Sequence, residues 1–391
     1  MNDFIFRMPP KIEVGFSKSK DLVKILKGFK LNRVLVVVDN NLKKLGLVDH
    51  ILNSLKEEKV SFDVFDGIIN EPTINEVDEA IKEFRIVSNF DAIVGVGGGS
   101  TIDVSKLFAV SGNFKGTIEN YIGTDLIEKP GIPMIILPTT SGTGAEATPN
   151  AIIKNVERGW KKGIVSPYLI PDLVVLDPEL TLSLPKKITA ETGIDAFTHA
   201  IECFIGNKAN TMSDLFALEA IRLIKKYLLR AFRDGNDREA RYYMLIASLY
   251  GGIAITNSGT GGVHALAYPL GGKYNISHGL SNSLLLTEVM KFNSKAVPEK
   301  FLKVAEAMGV SKKDISGEKI VKSVVEEIED LVKGVDINIG DIEGLEISDK
   351  ILDELSIMAI AEQQRLLKNN PREIKYGDAK MIYMKTLHPS H

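Results

Sequence analysis

With 391 residues, 44% of them hydrophobic and 25% charged, the chain has ordinary soluble-globular composition and is too long for one core, which predicts two domains. A net charge of −3 gives no electrostatic reason to expect nucleic acid or an acidic membrane as partner. Cys203 is the single cysteine, which excludes an internal disulfide and fits a reducing compartment. No apolar run approaches the ~20 residues needed to span a bilayer, and Met1–Arg7 lacks the apolar core of a signal peptide. A soluble cytoplasmic protein is the expectation.

Val34 to Val38 is a continuous β-branched run, as a strand buried on both faces requires, and Asp39 ends it. Leu42 to Leu55 has helical spacing, Ser61 to Phe65 alternates as a strand, and Val77 to Phe84 is helical again. Ala92 to Val96, Met134 to Leu137 and Val174 to Leu176 read as further buried strands. This alternation predicts a parallel, doubly wound, Rossmann-like sheet over residues 1–184. Beyond Leu184-Pro185 helical patterns take over. Ser213 reads as the cap of a helix with an apolar face of Leu215, Leu218, Ile221, Ile224 and Leu228. Ile320, Val321, Val324, Val325, Ile328, Leu331 and Val332 form a second stripe, and Ile351, Leu355 and Met358 start a third. Such stripes are core rather than cofactor surface. Residues 185–391 are therefore expected to be an all-helical domain.

Two strand exits look suited to phosphate. After Ala92–Val96 comes Gly97-Gly98-Gly99-Ser100-Thr101-Ile102-Asp103. Its glycines would let backbone approach a pyrophosphate, and the next helix would offer its free amides. Ser100 is expected as N-cap or extra donor, with Asp103 as its capping partner. The spacing is not the G-x-G-x-x-G fingerprint. After Met134–Leu137 comes a second donor-rich loop, Pro138-Thr139-Thr140-Ser141-Gly142-Thr143-Gly144-Ala145-Glu146. A strand-end carboxylate such as Asp39 accepts from ribose hydroxyls and repels a 2′-phosphate, favouring NAD over NADP, although the same residue also suits a plain turn.

The helical half holds a different chemistry. Asp195 and His199 are four apart and so project from one helix face. His264 and His278 follow in glycine-bearing stretches. One oxygen and three imidazole nitrogens suit a divalent transition metal, Fe(II), Zn(II) or Ni(II), and suit Ca or Mg poorly.

These segments together resemble the iron-containing (group III) alcohol dehydrogenase family. The matching pieces are Gly97–Asp103, Pro138–Thr143, Thr189-Ala190-Glu191-Thr192-Gly193-Ile194-Asp195-Ala196-Phe197-Thr198-His199-Ala200-Ile201-Glu202, and Gly262-Val263-His264-Ala265-Leu266-Ala267-Tyr268-Pro269-Leu270-Gly271-Gly272 through His278-Gly279. The likeness runs on to Asn370-Pro371-Arg372. It implies the two-domain architecture shared with dehydroquinate synthase, with metal and nicotinamide in the cleft between domains. By position it implies Asp195, His199, His264 and His278 as metal ligands, with iron the expected ion. It also implies Gly97, Gly98, Gly99, Ser100 and Asp103 at the pyrophosphate turn, Thr139, Thr140 and Thr143 at the cofactor, Asp39 at the ribose, and Lys162 and Leu180 nearby. Tyr268 stands where many members have a proton-relaying histidine; its hydroxyl can donate and accept, but a reference pKa near ~10 makes it a poorer shuttle. Glu71-Pro72-Thr73 replaces the common Asn-Pro-Thr.

The implied activity is hydride transfer between nicotinamide and a small primary alcohol, diol or aldehyde, with the ion as Lewis acid. A homo-oligomer, most simply a dimer, is the family expectation. The alternatives are a sugar-phosphate cyclase of the dehydroquinate synthase type, a glycerol dehydrogenase, and a non-catalytic binding module.

Overall fold

The computed structural model describes residues 3–67, 72–84, 86–155, 160–310 and 316–388. The chain divides into two compact units, one Met8–Ser183 and the other Leu184–His391 with Met1–Arg7. Among the described residues every strand lies in the first unit.

That unit is built on a six-stranded sheet of β1 (Ile12–Val14), β2 (Arg33–Val38), β3 (Ser61–Phe65), β4 (Ala92–Gly97), β6 (Met134–Pro138) and β9 (Leu173–Leu176), in the order β1-β9-β6-β4-β2-β3. All its pairings are parallel. Val34 to Val38 are fully buried, as β-branched residues in a central strand covered on both faces should be. The path from β2 outward to β3, then back across β2 to β4, places a reversal of strand order between β2 and β4. In open α/β sheets ligands bind outside the carboxyl ends of strands at such a reversal.

The expected parallel sheet is present, with three departures. The helix read over Leu42–Leu55 is two, Asn40–Lys44 and Asp49–Glu57; Gly46 at φ +69° breaks it with a left-handed turn. The short edge strand β1 was not foreseen. Neither was a small second sheet, in which β7 (Asn150–Asn155) pairs antiparallel with β8 (Trp160–Val165), and β8 pairs parallel with β5 (Gly123–Thr124).

The second unit is helical, as expected. The helix α1 (Gly99–Ala109) belongs to the first unit; the second opens with α2 (Lys186–Ile205), followed by α3 (Thr211–Arg233), α4 (Arg238–Ser258), α5 (Gly262–Tyr274) and α6 (His278–Asn293). Phe197, Ile201 and Phe204 of α2 join Ile221, Ile224 and Leu228 of α3 in one core, each such side chain contributing roughly 1.5–3 kcal/mol by leaving water. The stripe from Ile320 to Val332 lies on Gly317–Gly334 and packs into that same core. Two expectations fail here. Leu215 is 70% and Met358 40% exposed, because the buried face of each helix turns away from its first-named residue or its last. Asn210 rather than Ser213 caps α3, accepting from Met212 and Ser213 N–H, while the Ser213 hydroxyl bonds back to Asn210 as the other half of the capping box.

Candidate functional site

Asp195 and His199 sit one turn apart on α2, His264 is near the start of α5, and His278 is the first residue of α6. One donor atom from each of the four lies within 4.8 Å of all the others. His199 Nε2 and His278 Nε2 are 3.7 and 3.8 Å from Asp195 Oδ1. Donors about 2.1 Å from a common tetrahedral ion stand roughly 3.4 Å apart, so the cluster is of a size to close on one ion with small side-chain adjustments. The donor set is right for a transition metal as well. Burial alone would raise the Asp195 carboxyl, but His199, His278 and His264 around it, with the Asn282 amide, hold it below the usual carboxylate range. Asp195, His199 and His264 are buried and His278 is partly open. The Tyr268 ring stacks on that of His278 with centroids 5.4 Å apart.

Around the four lies a ring of partners, none of which the sequence had singled out by role. Glu202, one turn beyond His199 on α2, takes hydrogen bonds from Gly261 N–H, Val263 N–H and His264 Nδ1. Asn282 Nδ2 donates to Asp195 Oδ1 at 2.7 Å and lies 3.1 Å from His278 Nε2. Asn370 Oδ1 accepts from Gly262 N–H at 3.1 Å, and Asn369 Nδ2 donates to the carbonyls of Ser258, Gly259 and Thr260. The α4–α5 connection that leads into His264 is thus held on two sides. A Cβ on Gly279 would meet the Glu191 carbonyl oxygen at 2.6 Å, so glycine there lets α6 lie against α2 and bring His278 to Asp195.

The nucleotide-facing candidates gather at the strand reversal. Val38 of β2 is in register with Val96 of β4, and Gly97 with Pro138 of β6. Asp39 N–H donates to the Val96 carbonyl and Thr139 N–H to that of Gly97, at 3.3 and 3.0 Å. Asp39, the glycine turn and the threonine loop therefore share one edge of the sheet. A Cβ on Gly98 would meet Thr140 at 3.3 Å and one on Gly99 would meet Thr143 at 2.9 Å, so the two loops touch through the missing side chains. Gly98 is the N-cap of α1 and no side chain caps that end, which leaves its first amides available to an anion.

Several expected roles are revised. Ser100 lies inside the first turn of α1 and is not its cap. Asp103 is not a capping partner either: its carboxylate accepts from Ile152 N–H of β7 at 3.0 Å and lies 3.8 Å from Lys106 Nζ. Asp39 does serve as a turn residue, its Oδ1 accepting from Asn41 and Leu42 N–H as the cap of Asn40–Lys44. Leu180 packs into the sheet core, and Lys162 is exposed on β8, opposite Ile153. Glu71 lies outside the described residues.

Under the first unit's second loop lies a buried charged trio. Lys106 Nζ donates to the Thr148 and Asn150 carbonyls at 2.9 and 2.6 Å. Burial pushes the Asp103 carboxyl up to about 6 and that of Glu146 up to about 7, and pulls Lys106 down to about 8.

Comparison with known proteins completes the picture. The description of iron-containing alcohol dehydrogenases matches residues 9–178, and that of the C-terminal part of the Fe-containing alcohol dehydrogenase family matches residues 189–387. Long-chain-alcohol dehydrogenase 1 of Geobacillus thermodenitrificans is 38% identical over 380 residues, covering 96% of this chain and 94% of that protein. The 1,3-propanediol dehydrogenase of Citrobacter freundii is 38% identical over 279 residues, 71% of this chain and 72% of that one. Among solved structures, a 1,3-propanediol oxidoreductase superposes with a TM-score of 0.93 at 32% identity, covering 98% of this chain and 100% of that one. The sulfoacetaldehyde reductase of Bifidobacterium kashiwanohense in complex with NAD+ gives a TM-score of 0.88 at 28% identity, with 100% of both chains covered. With both halves of the family pattern matched in order along it, this chain belongs to the iron-containing alcohol dehydrogenase family.

Proposed function

We propose that the chain is an Fe(II)-dependent alcohol dehydrogenase and aldehyde reductase that uses NAD and acts on small primary alcohols, diols or the corresponding aldehydes. Family membership makes it an alcohol dehydrogenase, an oxidoreductase; the ion, the cofactor preference, the substrate range and the residue roles are our reading. The observation that carries it is the convergence of Asp195, His199, His264 and His278 on one centre.

In this reading residues 1–184 bind the dinucleotide and residues 185–391 hold the ion. When bound, the ion supplies Lewis acidity to the alcohol or carbonyl oxygen, and the nicotinamide accepts or gives the hydride. The protein's own part is to position. Asp195 and the three imidazoles hold the ion, and Asn282 steadies Asp195. The amides at the start of α1 face the pyrophosphate, Thr139, Thr140 and Thr143 add donors, and Asp39 meets the adenosine ribose. Lys162 and Leu180 are cofactor neighbours by family position alone, with Leu180 also packed in the sheet core. Tyr268, stacked on His278, carries the proton path that a histidine serves in many members.

A cytoplasmic homodimer completes the proposal. The glycerol dehydrogenase alternative is set aside because the full three-histidine set is present at the centre. The cyclase alternative is set aside because the matching family descriptions are those of alcohol dehydrogenases. The test is a panel of alcohols and aldehydes followed by nicotinamide absorbance, with NAD and NADP, on protein reloaded anaerobically with Fe(II), Zn(II) or Ni(II). Turnover should be highest with Fe(II) and NAD. Equal efficiency with NADP would show that Asp39 does not face the ribose, and no turnover with any metal would overturn the reading.

A further inference from the structure

We propose that Glu202 is a positioning residue of the metal centre, holding the His264 ring in the tautomer that leaves its Nε2 free to bind the ion. This inference rests on the metal reading given above.

The observation that carries it lies on the Nδ1 side of the imidazole, and the Nε2 side agrees with it. On the Nδ1 side, the Glu202 side chain is 1% exposed and its two oxygens meet three nitrogens. Oε1 accepts from Val263 N–H at 2.5 Å, and Oε2 accepts from Gly261 N–H at 3.0 Å while lying 2.6 Å from His264 Nδ1. Backbone amides can only donate, so both oxygens are committed as acceptors, and the ring nitrogen that joins them is the donor. On the opposite side, His264 Nε2 lies 3.3 Å from Asn282 Nδ2, whose amide already donates to Asp195 Oδ1 at 2.7 Å. Asn282 Nδ2 can donate but not accept, so a hydrogen on His264 Nε2 would meet a donor there, although the two amide hydrogens go first to Asp195 Oδ1 and to His278 Nε2 at 3.1 Å.

The fold places Glu202 for this task. It follows His199 by one turn on α2, so the helix that contributes two ligands also orients a third on another helix. It meets α5 at its first turn, where the N-cap is Gly261 and no side chain of the local sequence caps the end. Glu202 therefore does two things with one carboxylate: it satisfies amides that a helix start leaves open, and it sets the ring orientation and tautomer of a ligand. Outer partners of metal-bound histidines commonly change metal affinity by about 10–100-fold.

The two roles can be separated by Glu202→Gln and Glu202→Asp. Glutamine keeps the size, but its amide nitrogen can turn His264 Nδ1 into an acceptor and move the proton to Nε2. The chain has six histidines, few enough for tautomers to be read by 15N NMR in metal-free protein labelled on histidine, with His264 assigned by its loss in His264→Gln. The expected result is Nδ1–H at His264 in the wild type, and affinity for Zn(II) or Co(II), measured by chelator competition, weakened about 10–100-fold in Glu202→Gln and partly restored in Glu202→Asp. Wild-type metal uptake with unchanged affinity in Glu202→Gln would overturn the role of Glu202 alone. So would a proton on Nε2 in the wild type, a readout that stands even if Glu202→Gln does not fold. Wild-type protein that takes up no ion would overturn the metal reading and this proposal with it.

Discussion

The two units build their candidate sites from different materials. In the α/β unit the nucleotide edge consists mostly of backbone and absent side chains: helix amides, a glycine turn, and threonines that fill the space where Cβ atoms would be. In the helical unit the centre consists of side chains brought from three helices and held by a second ring of side chains. A backbone site depends on local turn geometry and tolerates changes a few residues away. A side-chain site inside a core has no such slack, because each donor is fixed by packing and by partners remote in sequence.

That contrast can be broken most decisively at His264. His264→Ala should abolish both stoichiometric metal and dehydrogenase activity, an effect beyond the ~10–100-fold that loss of an outer partner brings. Metal analysis of purified protein together with nicotinamide absorbance measures it, and retention of both would show that the four residues are not an ion site. A smaller and differently directed effect is expected at the other edge. In Gly99→Ala the new methyl meets Thr143, so NAD affinity should fall by about tenfold, or ~1.4 kcal/mol, with metal content unchanged. Calorimetric titration of NAD into metal-loaded protein checks it; loss of metal in this variant would blur the separation.

The smallest effect concerns stability in the α/β unit. Burial raises the Glu146 carboxyl from its ordinary 4.5 to about 7, with Lys106 opposing. The folded state then holds this proton where the unfolded chain has released it, so the contribution is complete below 4.5 and is lost as pH rises through about 7. Glu146→Gln has no such proton to lose. Relative to that variant, the wild type should lose stability as the pH is raised from 5 to about 7, seen as diverging urea midpoints. Parallel pH profiles would mean that Glu146 keeps an ordinary carboxyl value in the fold.

What could be read from the sequence follows from the same division. Strands such as Val34–Val38 were legible because burial on both faces demands an unbroken apolar run, and Ser61–Phe65 because alternation has its own period. The β7–β8 pair was not, since the three apolar residues in each of Asn150–Asn155 and Trp160–Val165 do not alternate with the asparagines and lysines around them. Leu215 and Met358 matched a helical period yet lie outside the buried face, because three-residue spacing alone does not fix which side a neighbouring helix covers. The candidate metal-binding quartet stood out through scarcity, three of six histidines together with one carboxylate. Glu202 stood in plain view beside them, but its partners lie at Gly261, Val263 and His264, and no spacing rule points that far. Asn282 offered one faint signal, four residues after His278 and hence on the same helix face.

The asparagine pair at 369 and 370 has a consequence for how the protein is made. A nascent chain that has emerged as far as α6 already carries Asp195, His199, His264 and His278, yet the loop before His264 still lacks Asn369 and Asn370, which bind the carbonyls of Ser258 to Thr260 and the amide of Gly262. Synthesis must pass residue 370 before that loop is pinned. Before that point the cluster of Asp195, His199, His264 and His278 lacks the support that those two side chains give the loop before His264.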